Sequence, residues 1–421
     1  MKSNRRNFLK SASLGAAASP LLFHSFTSTD PKELYFQDLS DLEKIMKQPV
    51  LKKELFNAPV ILDKVELLQY RNNYICRVTT PDGQEGISVS NNMQMQYLYP
   101  IFTKRIQPFF IGKDATKLEE LLEEVYVYKS NYKLQSLALW VPLATLEFAV
   151  LDLLGKIANK PMGALIGDIH HEKIAVYQAN NFRGKSAEET IERIKENAER
   201  INANAIKFKV AGRMSAPDSP PNRSENLIPL IRKTFGDDMT IYADANGGYN
   251  VAEAIKIGKL LQEYNMGFFE EPVPFDMYEE TLAVAEALDI PIAGGEQEPS
   301  MNNFRWLIHH DALDVVQPDI FYFGGMIRSM KVALMGHHKN KPCIPHISGS
   351  GLGYLYMMHF VSALPNAGPY HEFKGFNNEI PLESPTSNLK SENGKVKVPT
   401  APGLGVYIDP DYIEKHTIVK G

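Results

Sequence analysis

The segment NAIKFKVAG, residues 204–212, places two lysines one residue apart in an otherwise apolar run. Side chains alternate across a β-strand, so Lys207 and Lys209 would project from one face and the apolar residues from the other. An apolar strand that sends two ammonium groups to the same side is unusual and needs an explanation. The residues that meet these lysines therefore bear on both the fold and the chemistry.

Repeated strand–helix units surround this segment. From about Lys173, short apolar strands alternate with amphipathic helices, which predicts parallel β/α architecture. About seven units in a row favour a barrel over an open sheet, and the active site of such a barrel lies at the carboxyl ends of its strands. The two lysines would then point into the barrel, towards its mouth. The seven strand segments are KIAVYQAN, AIKFKVAG, MTIYADANG, MGFFEEP, DIPIAGGE, LDVVQPDI and KPCIPHISG.

The N-terminal part of the chain has a different pattern. Residues 60–90 predict a three-stranded antiparallel meander, and helical patterns follow at 97–110, 117–128 and 135–158. The last of these is apolar nearly all round, which indicates a buried helix. Strands followed by helices predict an α+β domain.

Three acids end successive strand segments at equal spacing. Asp244, Glu270 and Glu296 are 26 residues apart (244 to 270 and 270 to 296), which is one strand–helix unit each. Three carboxylates at one barrel mouth would repel each other strongly without a cation. Oxygen ligands suit a hard divalent ion, so we expect Mg²⁺ with open positions for substrate oxygens. A helix cap or an arginine partner would explain one such acid, but not three acids at equal spacing.

The next two strand ends carry Asp319 and His346, and an imidazole oriented by a carboxylate is a common general base. Glu372 falls at the eighth strand position, where it could contact the substrate. Glu271 follows Glu270 directly, so strand alternation places it on the opposite face in a structural contact.

From about residue 58 to its C-terminus the chain resembles the mandelate racemase branch of the enolase superfamily. The resemblance rests on the Lys207/Lys209 pair, the three metal acids, the Asp319/His346 dyad, and Asn246, which stands where the family has an amide near the substrate. It implies a (β/α)7β modified TIM barrel with an α+β capping domain, a C-terminal segment that returns to that domain, and a homo-oligomer. Together with the N-terminal pattern, the sequence predicts a division into 1–29 twin-arginine-type export signal, 30–57 extension, 58–170 cap, 171–375 barrel and 376–421 C-terminal segment.

The residues and the resemblance together imply removal of a proton α to a carboxylate, with Mg²⁺ stabilising the resulting enediolate. Lys209 would be the base on one face, with a pKa lowered by Lys207. His346, oriented by Asp319, would be the acid–base group on the opposite face of the substrate. This combination favours dehydration of an acid sugar to a 2-keto-3-deoxy acid. Racemisation or epimerisation, cycloisomerisation, and a non-catalytic exported sugar-acid binding protein are the alternatives.

Two loops depart from the family pattern. The segment AGRMSAPDSPPNRSENLIP, which follows the lysine strand, is longer than is usual and could line the mouth. The first hairpin of the cap, at residues 71–73, is short, so the usual specificity loop is not evident.

The composition and the N-terminal residues indicate which partners and which cellular location to expect. A net charge of −5 with scattered basic residues gives no reason to expect a nucleic-acid partner, and two distant cysteines exclude a disulfide framework. The paired Arg5-Arg6, a short apolar run and an Ala16-Ala17-Ala18 site resemble a twin-arginine export signal. This run is too short for a permanent membrane span. We therefore expect a periplasmic protein that acts on a small carboxylate.

Overall fold

The computed structural model describes residues 31–348, 351–375 and 380–420. The predicted export signal, residues 1–29, lies outside these residues. The first described element is α1 (Pro31–Met46), which leads into the cap. The cap contains β1 (Lys64–Tyr70), β2 (Asn73–Thr79), β3 (Glu85–Val89), α2 (Asn92–Ile101), α3 (Gln107–Phe110), α4 (Leu118–Val127) and α5 (Leu137–Ala158).

The three cap strands form an antiparallel sheet in the order β1-β2-β3, as the meander predicts. Helix α2 begins at residue 92, five residues before the predicted start. The reason is a cap that hydrophobic periodicity does not reveal: the Asn91 side chain accepts a hydrogen bond from the N–H of Gln94. This cap fixes the start of α2 next to Asn91 and Asn92, and both of these residues reach the functional site.

Helix α5 is the central helix of the cap. By length and composition it is apolar enough to cross a membrane, with a mean hydropathy of 1.8, but 89% of that window is buried inside the protein. It packs against β3 and β2. Its apolar character therefore reflects a helix that is covered on all sides by the core, as the sequence predicts.

The barrel alternates strands and helices. In chain order its elements are β4 (Lys173–Ala179), α6 (Ala187–Arg200), β5 (Ala205–Lys209), α7 (Arg223–Phe235), β6 (Thr240–Asp244), α8 (Val251–Glu263), β7 (Phe269–Glu270), α9 (Tyr278–Ala287), β8 (Ile292–Gly294), α10 (Met301–His309), β9 (Val315–Val316), α11 (Met326–His338), α12 (Leu352–Ser362) and β10 (His371–Phe373).

Parallel pairing runs continuously from β4 to β9. The seventh position, residues 343–346, joins this sheet through single bridges, Val316 to Cys343 and Asp319 to His346. The last strand, β10, pairs in parallel with β4 and closes the ring. The predicted (β/α)7β barrel with an α+β cap is therefore confirmed.

The C-terminal segment contains β11 (Leu382–Glu383), β12 (Ser391–Glu392), β13 (Lys395–Lys397), β14 (Tyr407–Ile408), α13 (Pro410–Ile413) and β15 (Thr417–Ile418). Strand β15 pairs antiparallel with β1, with Ile418 opposite Leu68, so the end of the chain returns to the cap sheet.

The extension before the cap connects the two domains. Leu42 of α1 is fully buried, and Asp38 of the same helix lies 3.0 Å from the Lys339 ammonium beyond α11. Further along, the N–H groups of Val50 and Leu51 donate to Glu119 of α4, at 2.8 and 3.0 Å. Residues 31–57 therefore contact both the outer helices of the barrel and the cap.

Candidate active site

The two lysines of β5 lie inside the barrel and meet the acids at the ends of the next strands. Lys207 is 2% exposed, and its Nζ lies 2.5 Å from Glu270 Oε1. Lys209 donates to Asp244, and its Nζ lies 3.0 Å from Asn246 Oδ1. The parallel register explains these contacts, because Lys209 stands opposite Asp244 and Asp244 stands opposite Glu270.

The three acids form one buried cluster. Asp244, Glu270 and Glu296 each offer a carboxylate oxygen, and these oxygens all lie within 4.8 Å of one another. Burial raises the pKa of Glu270 to about 8; the Lys207 charge opposes this rise, and Asp244 and Glu296 add to it. Three converging, buried carboxylates with this mutual repulsion are a donor set that fits a hard divalent cation such as Mg²⁺.

The Asp319/His346 pair lies beside this cluster. His346 Nδ1 is 2.7 Å from Asp319 Oδ2, while Asp319 Oδ1 accepts the N–H groups of Phe321 and Tyr322 at 2.8 and 2.9 Å. Burial alone would lower the pKa of His346, but Glu296 and Asp319 raise it to about 10. The imidazole is thus held in one orientation and favoured in its protonated form.

Asn246 and Glu372 complete the set of predicted residues. Asn246 follows β6 with a φ of 44°, a left-handed turn that directs its amide into the acid cluster, 3.4 Å from Glu296 Oε1. Glu372 lies in β10 and pairs with Lys374 at 2.9 Å. Burial alone would raise the pKa of Glu372, but Lys374, Lys207 and His346 hold it well below its ordinary value. The structure therefore brings all nine predicted site residues to one end of the barrel.

The expectation for Glu271 is wrong. Its φ of 43° breaks the alternation of the strand, so its Oε2 lies 3.4 Å from Asn246 Nδ2 instead of on the opposite face. Burial raises the pKa of Glu271 well above its ordinary value, and the charges of Glu296 and Asp244 act in the same direction. Gln317 is a second residue that the motifs did not reveal, and it donates to Glu270 Oε2 at 2.8 Å.

A cavity of about 440 Å³ opens over these groups. Its floor contains Lys207, Lys209 and His346. The cap supplies neutral polar residues, including Asn73, Asn91 and Asn92, and the barrel loops add Arg213 and Lys374. The short hairpin at residues 71–73 therefore reaches the cavity through Asn73, which is held by Asn92 Nδ2 at 2.6 Å.

A capped (β/α)7β barrel with paired lysines, three converging acids and an opposed histidine defines an enzyme of the enolase superfamily. The family model described as Enolase C-terminal domain-like matches residues 189–412, and the chain belongs to this family.

Several relatives carry named activities. Arabinonate dehydratase of Saccharolobus solfataricus is 27% identical over 316 residues, which cover 74% of this chain and 82% of the relative. The crystal structure of the 3,6-anhydro-D-galactonate cycloisomerase from Zobellia galactanivorans has a TM-score of 0.71 and 26% identity, with 86% of this chain and 100% of that chain covered. A mandelate racemase/muconate lactonizing protein from Paracoccus denitrificans, complexed with magnesium, has a TM-score of 0.75 and 25% identity, with 86% and 99% covered.

Proposed function

We propose that this enzyme dehydrates an acid sugar to a 2-keto-3-deoxy acid in a reaction that requires Mg²⁺. The observation that carries the proposal is the arrangement of Lys209 and His346 around one cavity, each held by its own carboxylate partner. Relatives named as dehydratases of arabinonate, D-xylonate and D-galactonate support this choice.

Asp244, Glu270 and Glu296 would hold the Mg²⁺ ion. When bound, the ion supplies positive charge beside the substrate carboxylate, which lowers the free energy of the enediolate formed by proton loss. A magnesium complex of a related structure supports this assignment.

Lys209 removes the α-proton in this scheme. Its Nζ lies at the floor of the cavity, and the Asn246 amide oxygen at 3.0 Å orients it. Lys207, on the same face of β5, places a second positive charge beside Lys209. Glu270 holds Lys207 in place at 2.5 Å, so this charge stays next to the base.

His346 supplies the proton that the leaving hydroxyl requires. The Asp319 carboxylate accepts a hydrogen bond from Nδ1–H and stabilises the imidazolium, so Nε2–H can donate its proton into the cavity. Loss of the β-hydroxyl as water then gives an enol, which becomes the 2-keto-3-deoxy acid.

A second candidate is isomerisation, which uses the same first step. If His346 returns a proton to the α-carbon from the opposite face, the product is an epimer; if a ring oxygen leaves, it is a cycloisomer. The cycloisomerase from Zobellia galactanivorans favours this candidate.

We also propose that the protein is exported to the periplasm. The support is the Arg5-Arg6 pair with its short apolar run and the following alanines.

The test is a screen of the purified protein with Mg²⁺ against aldonic, uronic and aldaric acids. We expect a 2-keto-3-deoxy product, detected as its hydrazone, from at least one acid. An Asp244→Ala variant serves as the background control. A broad panel that yields only epimers and no keto acid would contradict the proposal.

A further inference from the structure

Among the described residues, five cationic side chains line the cavity, and four of them have a carboxylate partner. Lys207 pairs with Glu270, Lys209 with Asp244, Lys374 with Glu372, and His346 with Asp319. The fifth is Arg213, and none of the ion pairs among the described residues includes it. Arg213 is exposed to solvent on the cavity side, so its charge is available to a ligand.

A second guanidinium reinforces this charge. Arg183 donates to Asn246 Oδ1 at 3.0 Å and to the Ala211 carbonyl at 3.1 Å, and within the described part of the chain it has no carboxylate within 4.0 Å. Burial lowers the pKa of Arg183 below its ordinary value; the charge of Asp244 opposes this shift and the charge of Arg213 adds to it. The two guanidinium groups are thus close enough to interact, which concentrates positive charge beside Arg213.

The backbone holds Arg213 in this place. The N–H of Met214 donates to the Asn246 carbonyl at 2.9 Å, and the N–H of Ser215 donates to the Gly247 carbonyl at 2.8 Å. Met214 and Ser215 both have left-handed φ angles, 49° and 63°, which are unfavourable for side chains other than glycine. The two backbone hydrogen bonds hold these unfavourable angles in place. They also connect the loop to the end of β6, beside the predicted metal ligands.

We propose that Arg213 binds a second anionic group of the substrate, so that the enzyme prefers a dicarboxylic (aldaric) acid sugar over an aldonic acid. This inference rests on the proposed function. A planar guanidinium binds a carboxylate through two parallel hydrogen bonds, whereas the hydroxymethyl end of an aldonic acid offers it no charge.

The experiment compares keto-acid formation from an aldaric acid and from the aldonic acid of matching configuration. For the unaltered enzyme we expect the larger kcat/KM with the aldaric acid. In Arg213→Gln the ratio of the two kcat/KM values should fall about 10- to 100-fold, mainly through KM, because a charge-assisted hydrogen bond is lost. Arg213→Lys should restore part of the ratio, because lysine keeps the positive charge but lacks the planar guanidinium group that donates two parallel hydrogen bonds.

Arg193→Gln is the matched control. This exposed arginine lies on the outer helix α6 and pairs with Glu189, so its loss should leave the ratio unchanged. An unchanged ratio in Arg213→Gln, or an unaltered enzyme that dehydrates aldonic but not aldaric acids, would overturn the inference and leave the proposed function intact. Absence of keto acid from every acid would overturn both.

Discussion

Replacing Asp319 by Asn removes one negative charge from beside His346 while keeping the size of the side chain. In the structure Asp319 Oδ1 accepts two backbone N–H groups, from Phe321 and Tyr322. The Asn oxygen would take this position, because an amide NH2 there would face two donors. The NH2 group must then face His346 Nδ1, at the 2.7 Å contact now made by Oδ2.

This geometry reverses the hydrogen bond to the imidazole. His346 Nδ1 would have to accept, so the ring would be neutral with its one proton on Nε2, and a neutral imidazole is a far weaker acid towards the leaving hydroxyl than the imidazolium. The imidazolium would also lose its counter-charge, and the pKa of His346 would fall from about 10. Loss of general acid–base catalysis typically costs 10²- to 10⁴-fold, so we expect kcat to fall by about a thousand-fold, or about 4 kcal/mol.

The assay is keto-acid formation together with urea unfolding of the same preparation. The control is Asp314→Asn, because Asp314 is also buried and accepts a backbone N–H, that of Ile292 at 2.8 Å. Both variants should lose some stability, but only Asp319→Asn should lose turnover to this extent. Wild-type turnover in a folded Asp319→Asn variant would refute the role given to the dyad.

Three further predictions concern metal, pH and export. Mg²⁺ at 100 times its dissociation constant should stabilise the protein by about 2.7 kcal/mol in thermal unfolding. Glu270→Gln should greatly weaken this stabilisation and abolish activity. Equal stabilisation of the variant by Mg²⁺ would argue against the three-acid site. Burial lowers the pKa of His359 to about 4, whereas an unfolded histidine titrates near 6.5. His359 alone should therefore lower stability by about 1.4 kcal/mol per pH unit as the pH drops from 6.5 towards 4. His359→Gln should show a slope smaller by that amount in urea unfolding, and equal slopes would contradict the assignment. Replacing Arg5 and Arg6 by Lys should block periplasmic delivery in a fractionation assay, and unchanged delivery would exclude a twin-arginine route.

Much of the site was accessible from the sequence because a parallel barrel imposes a fixed period on it. Each strand–helix unit returns the chain to the same mouth, so Asp244, Glu270 and Glu296 converge without any knowledge of loop conformation. The alternation of β5 likewise predicted that both lysines share a face, and the structure places Lys207 and Lys209 inside the barrel.

Contacts that depend on irregular backbone cannot be predicted from strand alternation. The left-handed φ of Glu271 turns its side chain towards Asn246, whereas the alternation of a strand places it on the opposite face. The length of the loop that carries Arg213 indicates only that the loop could line the mouth. Its hydrogen bonds to the end of β6 join segments that are distant in the sequence, so no local pattern predicts them. The start of α2 depends on one side-chain cap at Asn91, a local contact that a hydrophobic period cannot register.

The most direct test of the two-sided mechanism is one NMR experiment in D2O on His346→Asn with an acid sugar that the unaltered enzyme dehydrates. Loss of the α-proton signal reports proton removal by Lys209, and the 2-keto-3-deoxy signals report elimination. The account predicts that α-deuterium exchange persists while keto-acid formation falls by roughly a thousand-fold. If α-deuterium exchange and keto-acid formation both stop, or if keto acid forms at the wild-type rate, the assignment of the base to Lys209 and of the acid to His346 is contradicted.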